Sequence, residues 1–394
     1  MAFRKFSAEY IFNGFEFLPP NTVIVTDEEG VICAITSQED AGGDVQHHAG
    51  ILSPGLINAH CHVELSHMKN TIPKGIGLIN FLINVVKKRA AADITLIKQN
   101  IADAEDEMLQ NGIVAVGDIA NTTLAIDTKK TGRLRWHNFI EVLNFFDHTL
   151  EERLKFNEDI LCQHTAELKY NSALTPHAPY TISSATFNAL NERTRGRIIS
   201  IHNQEAAAEN ELFQTGEGEF LRLFEEIGVG ASPFKPKGKT SLQTYLPFFN
   251  NLQTILLVHN TFISKEDVLF AKEYAANNGL QIVYCLCPNA NLFIERRVPP
   301  IKLFQELGCS VVLGTDSYSS NTQLSIAMEA ATLQQHFPKI STEYLLRCAT
   351  SNAASAFGWD DLGTFKTTLQ PGLVLWETTE SLGLTLTGQA KRLI

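Results

Sequence analysis

The segment "INAHCHVELSHM" (57–68) sets His60, His62, Glu64 and His67 at the end of an apolar, strand-like run. Alternate side chains of an extended chain point to the same side, so the one-residue gap in His60-Cys61-His62 sends both imidazoles one way and Cys61 the other. An apolar run closed by an ionisable side chain recurs at His177 in "SALTPHAPY" (172–180), His202 in "RIISIHNQE" (197–205), His259 in "TILLVHN" (254–260) and Asp316 in "CSVVLGTDS" (309–317). One such histidine is ordinarily a satisfied structural residue. Six strand-end positions of this type in one chain call for a chemical reason. Neutral imidazole plus carboxylate is the usual ligand set of a catalytic zinc, with one coordination position left for water. The convergent set is His60, His62, His202 and Asp316, which with water makes a five-coordinate divalent ion, zinc in the first place and iron as the alternative.

These side chains need a scaffold that brings several strand ends to one place. Eight apolar runs of strand length are present: the four just quoted, "ILSPGLINAHCH" (51–62), "IVAVGDIAN" (113–121), "HNFIEVLN" (137–144) and "QIVYCLCPNA" (281–290). Continuous apolar strands separated by helix-like segments indicate a parallel sheet covered on both faces, and eight of them predict an α/β chain built as a (β/α)8 TIM-type barrel with its site at the C-terminal strand ends. The helical spacing is plain in "GLINFLINVVKKRAA" (77–91), where Leu78, Phe81, Leu82 and Val85 fall at i, i+3, i+4 and i+7. The segment 206–253 is too long and too rich in Gly and Pro for one covering helix, and is expected to act as a lid. Residues 1–52 read as short strands, with "TDEEG" as a hairpin turn, and 361–394 have the same texture. The two ends are expected to form a small β-sandwich domain beside a barrel spanning 53–360.

Composition narrows the partners. The formal net charge of −11, from 43 acidic and 32 basic residues without a Lys/Arg block, disfavours nucleic acid and anionic membranes and favours a small-molecule substrate. The N-terminus lacks the apolar core of a signal peptide, no run approaches membrane-spanning length, and seven scattered cysteines suit buried thiols in a reducing cytoplasm. A cytoplasmic location is the expectation. Cys285 and Cys287 are read as strand thiols, because "YCLCPN" fits neither the spacing nor the order of a Pro-Cys-x-x-Cys deaminase site. His47, His48, His67, His137, His148, His164 and His336 are assigned surface, capping or packing positions.

The ordered set "PGLINAHCH", "TPHAPYT", "HNQE", "LLVHN", "CLCPNANLF" and "LGTDSYSSN" resembles the amidohydrolase superfamily, in its cytosine-deaminase-like and chlorohydrolase-like branch. The resemblance implies His60, His62, His202 and Asp316 as metal ligands, His259 as a neighbouring acid/base and Glu205 as proton shuttle. His177 stands where binuclear members carry a carboxylated lysine, which implies one metal ion per chain and makes His177 a substrate contact. "HVELSH" is locally similar to aminodeoxyfutalosine deaminases, and leaves Glu64 open between substrate contact and helix cap. The tail "LQPGLVLWE" departs from the common "GK-x-AD" pattern. The implied activity is hydrolytic deamination of a purine- or pyrimidine-like heterocycle, such as a nucleoside of the aminodeoxyfutalosine type. Glu205 would carry protons to a ring nitrogen, with Glu205, His259 and Asp316 as the catalytic set. The same site would serve a cyclic-amide hydrolase or chlorohydrolase, and a non-catalytic scaffold is the reading from another class. The resemblance is compatible with a homodimer.

Overall fold

The computed structural model describes residues 3–379 and 384–394. Fourteen strands are seen among them: β1 (Arg4–Ile11), β2 (Thr22–Thr26), β3 (Ile32–Ser37), β4 (Val45–Pro54), β5 (Leu56–Cys61), β6 (Ile113–Ala120), β7 (Arg135–Val142), β8 (Ser172–Pro176), β9 (Ile198–Asn203), β10 (Thr254–His259), β11 (Gln281–Leu286), β12 (Val311–Leu313), β13 (Leu373–Thr379) and β14 (Thr385–Arg392). All eight apolar runs contain strands, because their Val, Ile and Leu residues are buried on both faces of parallel sheets covered by helices. The run 51–62 is divided in two. Gly55 marks the break, since a Cβ there would meet the Pro371 carbonyl oxygen at 2.6 Å and Val114 Cγ1 at 2.3 Å.

Strands β5 to β8 form one four-stranded parallel sheet in the order β5-β6-β7-β8, and β9 to β12 form a second in the order β12-β11-β10-β9. The sheets meet along both edges through individual hydrogen bonds. Between β12 and β5, the Thr315 and Asp316 amides donate to the His60 carbonyl at 3.0 and 3.1 Å. Between β8 and β9, the Ser200 amide donates to Thr175 Oγ1 at 2.6 Å and the His202 amide to the His177 carbonyl at 2.9 Å. Gly314 permits the first seam: a Cβ there would stand 2.8 Å from His60 Cβ.

The chain ends pair as expected, but as one six-stranded mixed sheet in the order β14-β13-β4-β1-β2-β3, and the described residues show no sandwich. The reason lies in what covers the second face. Phe6, Ile24, Leu52, Leu373 and Leu375 form an apolar cluster of their own, whereas Ile51, Trp376 and Leu386 join the main core, where β14 packs on the helix Ile326–His336. A helix thus does what a second sheet would have done. Residues 380–383 of the strand-like tail lie outside the described residues.

The 77–91 segment is helical over Leu78–Lys88, opening at Gly77 with φ +76°. The insertion after β9 forms the helices Ala207–Thr215, Phe220–Glu226 and Ser241–Tyr245. Its Phe213, Phe220 and Phe224 share an apolar cluster with Leu78, Ile79 and Phe81, so it packs over the strand ends beside the first covering helix.

One buried ion pair underlies the His60-Cys61-His62 turn. Lys129 Nζ, fully enclosed, donates to Asp118 Oδ2 at 2.6 Å and Asn138 Oδ1 at 2.7 Å, while Asp118 Oδ1 accepts the Val63 amide at 2.9 Å. Removing one partner leaves an uncompensated buried charge. Lys129→Met is therefore expected to lower the unfolding free energy by about 3–5 kcal/mol, read from the denaturant midpoint, and Lys129→Met combined with Asp118→Asn should recover most of it.

Candidate active site

The C-terminal ends of four strands deliver the ionisable side chains to one cluster. His60 ends β5, His202 lies on β9, His259 closes β10 and Asp316 follows β12. One ligand-type atom from each of these four residues lies within 4.8 Å of the others, and all four are buried. His62 adjoins them, its Nε2 standing 3.1 Å from His60 Nε2 and 3.4 Å from Asp316 Oδ1. His60 Nε2 is 3.6 Å from the same oxygen. The structure thus brings together all four sequence-selected ligand candidates and places His259 in the same cluster.

Electrostatics leave this donor set with lone pairs and one negative charge. Burial, with the neighbouring imidazoles, holds His60 and His62 well below the ordinary histidine range. Burial likewise lowers His202 and His259. At Asp316 burial works upward, but the facing His62 and His259 rings and the Ser320 hydroxyl, which donates to Oδ2, outweigh it and hold the carboxyl below its usual value. His202 Nδ1 lies 2.7 Å from the His177 carbonyl, which can only accept, so Nδ1 carries the proton and Nε2 keeps its lone pair. Neutral imidazoles crowded against a carboxylate, with no buried Lys or Arg among them, are a donor set suited to a divalent cation.

Backbone strain is concentrated at the same place. Gln204, His259, Asn260 and Asp316 take φ of +46°, +73°, +59° and +57°, conformations that non-glycine residues rarely adopt. Side-chain bonds hold the turns: Asn203 Nδ2 donates to Asn260 Oδ1 at 2.9 Å, and Tyr245 Oη donates to Asn203 Oδ1 at 2.8 Å.

Glu205, beyond β9, is buried, with Oε1 3.5 Å from His259 Nε2. Burial, then the Asp316 charge, pushes its carboxyl well above the usual range, so it holds a proton readily. At the other ring nitrogen of His259, Asn291 Nδ2 stands 3.1 Å from Nδ1. The turn carrying Glu205 is anchored by Glu209, which accepts the Gln204 amide at 2.9 Å, the Glu205 amide at 3.3 Å and Ser241 Oγ at 2.5 Å. Gln204 Nε2 donates to Asp267 Oδ2 at 2.8 Å, and Asp267 Oδ1 accepts Thr240 Oγ1 at 2.6 Å. The far end of the insertion therefore grips the turn that positions Glu205.

A cavity of about 80 Å³ opens on this cluster, walled by Leu78, Phe81, Leu82 and Val85 on its apolar side and by His177, Asn121, Glu141 and Arg89 among its polar groups. His177 reaches it, with burial holding its pKa down to about 3 and Nδ1 3.0 Å from Thr181 Oγ1. Glu64 is buried and lies outside the residues that wall this cavity. Its oxygens accept the Asn121 and Thr122 amides and the Thr122 hydroxyl at 2.8–3.2 Å, so it is spent on locking the loop after β6. Cys285 and Cys287 are buried free thiols on and just after β11. Sequence reasoning passed over Glu141, Arg89, Asn291, Glu209 and Ser320. A lone acidic residue inside the apolar run "FIEV" was the available signal for Glu141.

The model of the amidohydrolase family matches residues 51–391. An adenosine deaminase of Helicobacter pylori is 27% identical over 315 residues, covering 78% of this chain and 74% of that protein. An aminodeoxyfutalosine deaminase of Nitratiruptor is 25% identical over 325 residues, covering 79% and 74%. The crystal structure of Helicobacter pylori aminofutalosine deaminase in complex with methylthio-coformycin superposes with a TM-score of 0.78 at 22% identity, over 99% of this chain and all of that one, a likeness of fold. The family match runs from β4 to β14 and encloses every strand end that feeds the histidine and aspartate cluster: the chain belongs to the amidohydrolase family.

Proposed function

We propose that this chain is a metal-dependent aminohydrolase that exchanges the exocyclic amine of a purine-type nucleoside for a carbonyl oxygen and releases ammonia. The observation that carries the reading is the pair Glu205 and His259, 3.5 Å apart and buried against the histidine and aspartate cluster. The names of the adenosine and aminodeoxyfutalosine deaminases among its relatives support the substrate class.

In this reading His60, His62, His202 and Asp316 hold one divalent ion, with zinc first and iron as the alternative. When bound, such an ion supplies a Lewis acid that makes water a nucleophile near neutral pH. The remaining work belongs to the chain. Asp316 and His259 orient the water and draw on its proton. Glu205 gives its proton to the ring nitrogen beside the carbon under attack, takes one from the added hydroxyl and gives it to the departing amine, so that the water oxygen stays in the heterocycle as its carbonyl, ammonia leaves, and the proton drawn off by His259 and Asp316 restores Glu205. Loss of ammonia needs a proton donor, and the upward push of burial on Glu205 suits that task better than hydrolysis of a chloride, which leaves without one. His177 contacts the bound heterocycle, and the apolar wall from Leu78 to Val85 excludes water.

The two parallel sheets are read as halves of one (β/α)8 barrel over 53–360, and the six-stranded sheet as a second domain from 1–52 and 361–394. Seven free thiols support a cytoplasmic setting, and a homodimer is the proposed assembly. No helix among the described residues is long and apolar enough to cross a membrane.

Elemental analysis of purified protein should find one equivalent of divalent metal, and His60→Ala or Asp316→Ala should lose it. Two tightly held equivalents, or full occupancy in His60→Ala, would contradict the ligand assignment. Glu205→Gln should keep metal content and thermal stability while turnover falls about 10²–10⁴-fold, measured by ammonia release. A structural carboxylate would give the opposite pattern, lower stability with normal turnover per folded molecule.

A further inference from the structure

Glu141 is buried at the C-terminal end of β7 and only one of its two oxygens is used. Oε2 accepts Asn121 Nδ2 at 2.8 Å, and Asn121 is itself fixed through its amide to Glu64 at 3.0 Å. Oε1 is enclosed and has no hydrogen-bond partner among the described residues. An acceptor left unpaired in this way is costly, and more so on a carboxylate, unless something entering the cavity supplies a donor. Glu141 lines the cavity with His177 and Arg89, and one of its oxygens lies within 4.8 Å of ring nitrogens of His177 and His202.

Those three residues could be taken for a second metal site. Their nitrogens are already engaged: His202 Nδ1 donates to the His177 carbonyl, His177 Nδ1 faces Thr181 Oγ1, and His202 Nε2 is the lone pair left for the first cluster. Only His177 Nε2 and Glu141 Oε1 remain, too few for a cation. The positive charge of Arg89 acts on both Glu141 and His177, which further disfavours a cationic ligand. A neutral donor fits what is left.

Resting on the aminohydrolase reading, we propose that Glu141 is a specificity-determining residue that accepts a hydrogen bond from the substrate, the donor being a ribosyl hydroxyl remote from the scissile bond. The partner is then a nucleoside whose ribose reaches Glu141, and Asn121 and Glu64 act as positioning residues that aim the carboxylate.

The test compares wild type, Glu141→Ala and the nearly isosteric Glu141→Gln on adenosine, 2′-deoxyadenosine and 3′-deoxyadenosine. Ammonia release, calorimetric affinity for adenosine, metal content and melting temperature are measured for each. Both variants should keep metal and melting temperature, and Glu141→Ala should lose roughly 10–100-fold in kcat/KM. The 2′- or 3′-hydroxyl is the donor if wild type discriminates against the corresponding deoxynucleoside and Glu141→Ala does not; the 5′-hydroxyl is the donor if the loss is equal on all three. Unchanged kcat/KM in both variants, or a loss that tracks loss of metal, overturns the proposal and leaves the deaminase reading standing. Wild type that binds adenosine with Glu141-dependent affinity yet releases no ammonia overturns the deaminase reading and keeps the subsite. Absence of both binding and turnover overturns the two together.

Discussion

Taking several imidazoles and carboxylates out of water within hydrogen-bond reach of one another is the constraint on which this molecule is arranged. Each of His60, His62, His202, His259 and Asp316 is buried, and none is matched by a buried Lys or Arg in the cluster. Such a group is tolerable only if the imidazoles stay neutral, which burial enforces, and if a cation collects their lone pairs. The strand ends bear the remaining cost as strain: positive φ at Gln204, His259, Asn260 and Asp316 is stored in turns that neighbouring side chains hold closed. Gly314 is the complement of that crowding, a residue without a side chain where β12 comes up against His60.

Outside the cluster, buried polar networks act as scaffolding. Lys129, Asp118 and Asn138 fix the turn that carries His60 and His62, Glu64 fixes the loop after β6, and Glu209 fixes the turn of Glu205. The Glu209 network is the most consequential, because Ser241 and Thr240 enter it from the end of an insertion whose Phe213 and Phe220 share an apolar cluster with Leu78 and Phe81 of the cavity wall. Whatever moves that insertion therefore moves the hydrogen bonds that hold the turn of Glu205.

The strand ends were legible in the sequence because two local signals coincide there: continuous apolar runs, and an ionisable residue where each run stops. Side-chain alternation alone put His60 and His62 on one side. The less legible features depend on partners remote in sequence. Glu64 looks like a site residue in "HVELSH", and its true partners, Asn121 and Thr122, come from the loop after β6. Glu141 hides in an apolar strand, where nothing local separates a ligand-facing carboxylate from a structural one. The break at Gly55 comes from close approach to Val114 and Pro371, and the single terminal sheet from a helix at 326–336 covering its second face; neither is encoded in the residues that are affected.

The account stands on the claim that water is added to a ring carbon as an amine leaves, and labelled water tests that most directly. Metal-replete protein is incubated with an adenosine-type nucleoside in H2¹⁸O, and the product mass and the released ammonia are measured together. The account predicts one ¹⁸O in the product carbonyl for each ammonia released, with the ring intact. Label taken up with ring opening and no ammonia, or ammonia released without label in the product, would contradict it.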